Sequence, residues 1–116
     1  GEIIHTDKQK ALEYMKKAAG EGYTFACAVL GTMYYSGEKG MVAKDYQKAF
    51  EYLSIAVKDV ASLNEDLLVE VYKYLGACYR FGRGTDKDQS LASYYTEQAA
   101  KYGDKGSVNA VKMMRK

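Results

Sequence analysis

An α-solenoid of antiparallel helix pairs is the fold this sequence predicts. Three observations lead there. Three segments carry Asp, Ala, Tyr and Ala at the same four places: Asp7, Ala11, Tyr14 and Ala18; Asp45, Ala49, Tyr52 and Ala56; Asp88, Ala92, Tyr95 and Ala99. A second kind of segment occurs twice, as Leu30-Gly31-x-x-Tyr34-x-x-Gly37 and Leu75-Gly76-x-x-Tyr79-x-x-Gly82. The two kinds alternate on one period. The first repeats at 38 and 43 residues and the second at 45. Two extra residues around Glu38-Lys39 and seven within Lys58 to Leu67 reconcile them, since 38 less two, 43 less seven and 45 less nine are all 36. A fixed period of this size is the signature of stacked supersecondary units.

The first kind of segment reads as an A helix and the second as a B helix. In the first A segment, Ala11, Leu12, Met15, Ala18 and Ala19 form one helical stripe. Thr6-x-x-Gln9 has the form of a capping box, and Gly22 ends the helix. Ala26, Val29, Leu30, Met33 and Tyr34 keep helical spacing as far as Gly37. Asp45 and Asp88 stand where N-caps belong. Ser62-x-x-Glu65 looks like a capping box for a longer second B helix, about Asn64 to Phe81. Gly37 and Gly82 look like C-caps with positive φ. Arg80 and Arg83 lie where a helix dipole favours cations. Gly31 and Gly76 sit inside B helices, where glycine costs about 0.5–1 kcal/mol against alanine, so they suggest close approach of the paired helices. Ser107 to Lys116 holds only a short final B helix. Ile3-Ile4 is the one weak strand candidate.

The chain thus reads as one domain, residues 1–116, with units near 7–43, 44–85 and a truncated 86–116. Composition agrees. At 116 residues there is room for one modest core. Lys plus Arg is 17 against 15 for Asp plus Glu, a net charge of +2 that points to neither nucleic acid nor a membrane surface. No run approaches the roughly 18 apolar residues of a membrane span. Two cysteines make no disulfide scaffold and suit a reducing compartment. Gly1 is no initiator, so a trimmed end, a fragment of a longer chain or a lost signal peptide all fit, and with the last a periplasmic or secreted home.

Catalytic chemistry finds little support. Glu13 and Glu51 are repeat-equivalent, but the third unit has Tyr94 there, so a solvated or ligand-facing position is the better reading than an acid–base pair. His5 is the single histidine, and no cysteine pair has zinc-ligand spacing. Neither cysteine has a histidine nearby in sequence. Gly82-Arg83-Gly84 follows a helix rather than a strand and reads as a turn, not a phosphate loop. No cofactor or metal is expected.

The 12 tyrosines carry more information. Tyr14, Tyr34, Tyr52, Tyr79 and Tyr95 hold repeat positions, so packing is their first reading. Tyr35, Tyr46, Tyr72, Tyr74 and Tyr94 are not explained by the repeat and are candidate interface anchors. Lys10, Lys16, Lys17 and Lys48 lie on polar helix faces, either solvated or lining a groove for an acidic or C-terminal carboxylate peptide.

Asp-x-x-x-Ala-x-x-Tyr-x-x-x-Ala followed by Ala-x-x-x-Leu-Gly-x-x-Tyr-x-x-Gly resembles the Sel1-like repeat, a relative of the tetratricopeptide repeat, over about residues 7–103. The chain departs from the family at Tyr14, Tyr52 and Tyr95, where Trp is usual, and in its lengthened second A–B connection. The disulfide of some members is absent, since Cys27 and Cys78 are not repeat-equivalent. The resemblance implies a right-handed superhelix and a non-catalytic adaptor that binds a protein segment on a concave A-helix face. Lys10, Glu13, Lys17, Lys48, Glu51, Tyr52, Tyr94 and Tyr95 would carry the contacts. The alternative is a capping or oligomerisation fragment of a longer repeat protein, packing through Val108, Val111, Met113 and Met114. A third implication, β-lactam-type hydrolysis as described for some relatives, lacks a serine paired with a usable base.

Overall fold

The computed structural model of the chain describes residues 7–103 and 105–114. Among them six α-helices follow in order: α1 (Asp7–Gly20), α2 (Thr24–Ser36), α3 (Tyr46–Ala56), α4 (Glu65–Phe81), α5 (Gln89–Lys101) and α6 (Lys105–Met114). They stack into an elongated body of 60 × 26 × 23 Å. The A helices are α1, α3 and α5, and the B helices are α2, α4 and α6. Ile3-Ile4 and the Thr6 capping box lie outside the described residues.

Local chemistry sets the helix starts. Asp45 and Asp88 share the extended φ of −149°, and their carboxylates accept the Lys48 and Leu91 amides at 3.0 Å each. Their own N–H groups donate to the carbonyls of Tyr34 and Tyr79, so each cap also ties an A helix to the preceding B helix. The start of α4 corrects the sequence reading. Asn64, not Ser62, is the cap, its Oδ1 accepting the Leu67 amide at 2.9 Å. The seven-residue insertion coils as a 3-10 segment, Val57–Ser62, which leaves Ser62 outside the helix. There its hydroxyl donates to Asp59 at 2.6 Å, while Thr24 donates to the same carboxylate at 3.0 Å. These two hydroxyls hold the Asp59 carboxyl below its ordinary pKa. The two-residue insertion forms a tight turn closed by paired Glu38 and Val42 backbone bonds.

Helix ends follow the glycines. Beyond α1, Tyr23 N–H reaches Ala18 O and Gly22 N–H reaches Ala19 O, the two bonds of a Schellman motif. Gly37 and Gly82 take φ of +74° and +69°, as anticipated.

The core runs along the stack. Leu30, Leu53, Leu75 and Val71 are its largest fully buried aliphatic side chains, each contributing about 1.5–3 kcal/mol on burial. The most extensive seams join α2 to α3 and α4 to α5. This changes the reading of the two helix glycines. A Cβ on Gly31 would stand 2.7 Å from Leu53 Cδ2, and one on Gly76 would stand 2.9 Å from Thr96 Oγ1. Each glycine therefore admits the A helix of the following unit, not the partner helix of its own. The repeat tyrosines mark the same seam: Tyr34 stacks on Tyr52 at 6.0 Å and Tyr79 on Tyr95 at 5.9 Å.

Two expectations about packing fail. Tyr14 is 75% exposed, and Ala11 is exposed while Ala18 is half-buried. Their counterparts Ala49, Ala56, Ala92 and Ala99 are fully buried, because a preceding B helix covers them. Tyr72 fails in the other direction. It is core, 8% exposed, since it occupies the position of buried Cys27 in the next unit.

Cys27 and Cys78 are free and buried. Burial pushes both thiols up, Cys78 to about 11. A folded pKa above the unfolded one stabilises the neutral thiol below the unfolded pKa of about 8.5, and this contribution is lost as pH rises through the folded value. Cys78 is therefore expected to resist Ellman's reagent at pH 8 and to react once denaturant unfolds the chain. Stability should decline from about pH 9 toward 11. Immediate labelling of both thiols in the native protein would contradict this.

Candidate protein-binding site

The turn between α2 and α3 brings together the cationic and aromatic residues. Lys48 Nζ sits 5.3 Å above the Tyr34 ring, and Lys44 Nζ sits 5.6 Å above the Tyr46 ring. Lys48, Lys44 and Tyr34, with Lys16, Met41 and Val42, line a depression of about 270 Å³. Its carboxylate, Asp45, is engaged as the α3 cap.

Lys44 links this depression to a second cluster. The turn after α4 lies on the first turn of α3, where Gly84 packs on the Tyr46 carbonyl and Phe50 Cβ. That contact places Arg83. Its Nη1 donates to the Tyr35 hydroxyl at 2.6 Å, and its guanidinium stands 5.0 Å from the Tyr46 ring and 4.7 Å from the Phe81 ring. Tyr35 in turn stacks on Tyr74 at 4.4 Å, with Lys73 Nζ 5.3 Å above the Tyr74 ring. Burial raises the Tyr35 phenol's pKa and Arg83 partly opposes it, so the phenol stays neutral.

The result is a strip of five cations, Lys16, Lys48, Lys44, Arg83 and Lys73, set among tyrosines. Among the described residues no ion pair ties any of the five to a carboxylate. Exposed cation–π contacts are worth only about 0.5–1 kcal/mol each, which leaves these charges able to meet a ligand anion. Rings that bury their faces and keep their hydroxyls accessible suit the same purpose.

The residues singled out from sequence are dispersed. Lys48 lies in the strip, and half-buried Tyr52 lies beneath it, stacked on Tyr34. Lys10, Glu13 and Lys17 are exposed on α1, but Lys16 is the α1 lysine that joins the depression. Glu51 is exposed on α3. Tyr94, 52% exposed, lies in a separate open depression of about 550 Å³ with Gln89, Ser90, Ser93 and Glu97. Tyr95 lies edge-on to it at 5.1 Å and packs between Tyr72 and Tyr79. Val111 is buried in the chain's own core, and Met113 is 73% exposed; the Met114 side chain lies outside the described residues.

Sequence reasoning did not anticipate Arg83, Lys44 or Lys73 as site residues. Their signal was indirect: Tyr35, Tyr46 and Tyr74, unexplained by the repeat, all face Arg83 or each other. It also missed a larger depression, about 670 Å³, where Phe25, Val29 and Leu67 are bordered by Glu65, Asp66 and Glu70. The Glu65 and Asp66 charges already have a role there, at the positive end of the α4 dipole.

Nothing in the strip has the arrangement of a catalytic set. A Ser-x-x-Lys spacing does occur at Ser36-Gly37-Glu38-Lys39, but the Ser36 hydroxyl contacts Tyr74 Oη at 3.5 Å rather than Lys39. Among the described residues no three His, Cys, Asp or Glu side chains are grouped to hold a metal, and no helix is long and apolar enough to cross a membrane.

Comparison with known proteins supplies the family. A Sel1 repeat shows the same overall architecture in a protein from Oxalobacter formigenes, at a TM-score of 0.72 and 23% identity, covering 96% of this chain and 30% of that one. The present chain thus spans about three tenths of that protein's length. Cysteine rich protein B of Helicobacter pylori superposes at a TM-score of 0.61 with 27% identity, covering 90% of this chain and 72% of the other. No curated protein matches by sequence. The Sel1 repeat sequence model matches residues 1–23, 24–59 and 70–104. The second segment holds α2 and α3, the third most of α4 with α5, and the interval between them overlaps the inserted region. With most of its length matched in this way, the chain belongs to the Sel1 repeat family, whose members are generally non-catalytic scaffolds for protein–protein interaction.

Proposed function

We propose that the chain is an adaptor module that docks an acidic peptide or protein segment along the strip from Lys16 through Lys48 and Lys44 to Arg83 and Lys73. One observation carries this reading: five neighbouring cations lie among tyrosine rings, and among the described residues no carboxylate is paired to them. Tyr and Arg are typical anchors of such interfaces. Complementary charge raises association rate and selectivity. The A-helix residues Lys10, Glu13, Lys17 and Glu51, with Tyr52, Tyr94 and Tyr95, would extend the contact along the stack.

The test is fluorescence anisotropy with labelled acidic peptides containing spaced Tyr or Leu, against counterparts in which Asn and Gln replace Asp and Glu. Wild type should bind the acidic set, more weakly as salt rises. The double variant K48E/R83E should lose about tenfold or more in affinity while keeping its circular dichroism spectrum. Equal binding of the amide peptides, or an unchanged double variant, would overturn the proposal.

A further inference from the structure

The internal repeat allows each A helix to be compared with the others at equivalent positions. On α3, Ala49, Leu53 and Ala56 are fully buried against α2; on α5, Ala92, Thr96 and Ala99 are buried against α4. On α1 the equivalent residues are Ala11, exposed, and Met15 and Ala18, half-buried. Tyr14 stands 75% exposed where Tyr52 and Tyr95 stack on the tyrosine of the preceding B helix. Helix α1 packs on α2. The face that α3 and α5 turn to a preceding B helix carries the same two alanines and tyrosine on α1, yet no described helix covers it.

We infer that this α1 face is a seat for one further B-type helix, contributed by a repeat unit ahead of α1. That helix presents a glycine to Met15 and, three residues on, an aromatic ring to Tyr14. The interfaces α2–α3 and α4–α5 define the geometry twice over. The same comparison argues against the C-terminal helix of a second copy as the occupant. Helix α6 matches α2 and α4 through its buried Ser107 and Val111, the counterparts of Ala26 and Leu30. Exposed Lys112 then stands where Gly31 and Gly76 stand. A lysine there obstructs the close approach that those glycines permit.

The experiment replaces residues 1–6 with a copy of residues 23–44, which carries α2 and its turn, joined to Asp7 as the original is joined to Asp45. The extended chain should melt about 5 °C or more higher. Amide exchange along α1 should slow at least about tenfold as local opening is suppressed. Gly31→Leu in the copied segment alone should abolish both effects. No gain, or an equal gain with the leucine version, would overturn the inference. So would sedimentation showing that the unextended chain dimerises and that Tyr14→Lys disperses the dimer, since a second copy would then own the face.

Discussion

Gly31→Leu is expected to lower the thermal midpoint by roughly 5–10 °C. The new Cβ would sit 2.7 Å from both Leu53 Cγ and Cδ2 and 3.2 Å from the Leu53 backbone nitrogen. Leu53 is fully buried, so its side chain has nowhere to swing. Overpacking of this kind costs about 1–3 kcal/mol. The backbone contact pushes toward the upper end, because a rotamer change cannot relieve it. One kcal/mol corresponds to about 4 °C in a chain of this size. A mutant cycle identifies the seam. Leu53→Ala alone should cost about 2–5 kcal/mol by leaving a cavity. In combination the two changes should cost less than their sum by about 1 kcal/mol or more, because the alanine admits part of the new side chain. Strict additivity in thermal or denaturant melts would show that Gly31 does not face α3.

Gly84→Ala should be comparably damaging through a different cause. Its φ is +75°, and a Cβ there would run into the main-chain carbonyl of Tyr46 and stand 2.8 Å from Phe50 Cβ. Left-handed backbone costs a non-glycine residue about 1–2 kcal/mol, and the clash adds about 1–3 kcal/mol. The neighbour is backbone at the start of α3, so relief requires lifting the whole turn. Arg83 precedes Gly84 and would move with it, away from Tyr35 and Tyr46. The variant should therefore lose stability and weaken acidic-peptide binding together, whereas Arg83→Ala should weaken binding with a much smaller change in midpoint. Calorimetry and peptide anisotropy on the two variants provide the check. An unchanged midpoint for Gly84→Ala would show that the turn does not rest on α3.

Much of the local architecture was legible in the order of residues. The helices, their alternation and the insertions follow from the recurrence of Asp, Ala, Tyr and Gly, because helix periodicity, caps and positive-φ turns are decided within a few residues. Asp45, Asp88, Gly37 and Gly82 behave as that local chemistry requires. Even the misassigned cap at Ser62 is a near miss: two adjacent polar residues competed, and the 3-10 coil of the insertion decided for Asn64.

Local chemistry along the chain thus accounts for the helices, their caps and the repeat that defines the family. Packing between units settles which helix each glycine admits, since the two faces of a B helix look alike until neighbours are placed. It also decided that Tyr14 faces outward while Tyr72 is core, because burial depends on whether another helix lies in front. Arg83 reaches Tyr35 across 48 positions of chain. No local pattern encodes such a contact, and the stacking of units, driven by burial of the α2–α3 and α4–α5 seams, is what brings the two side chains together.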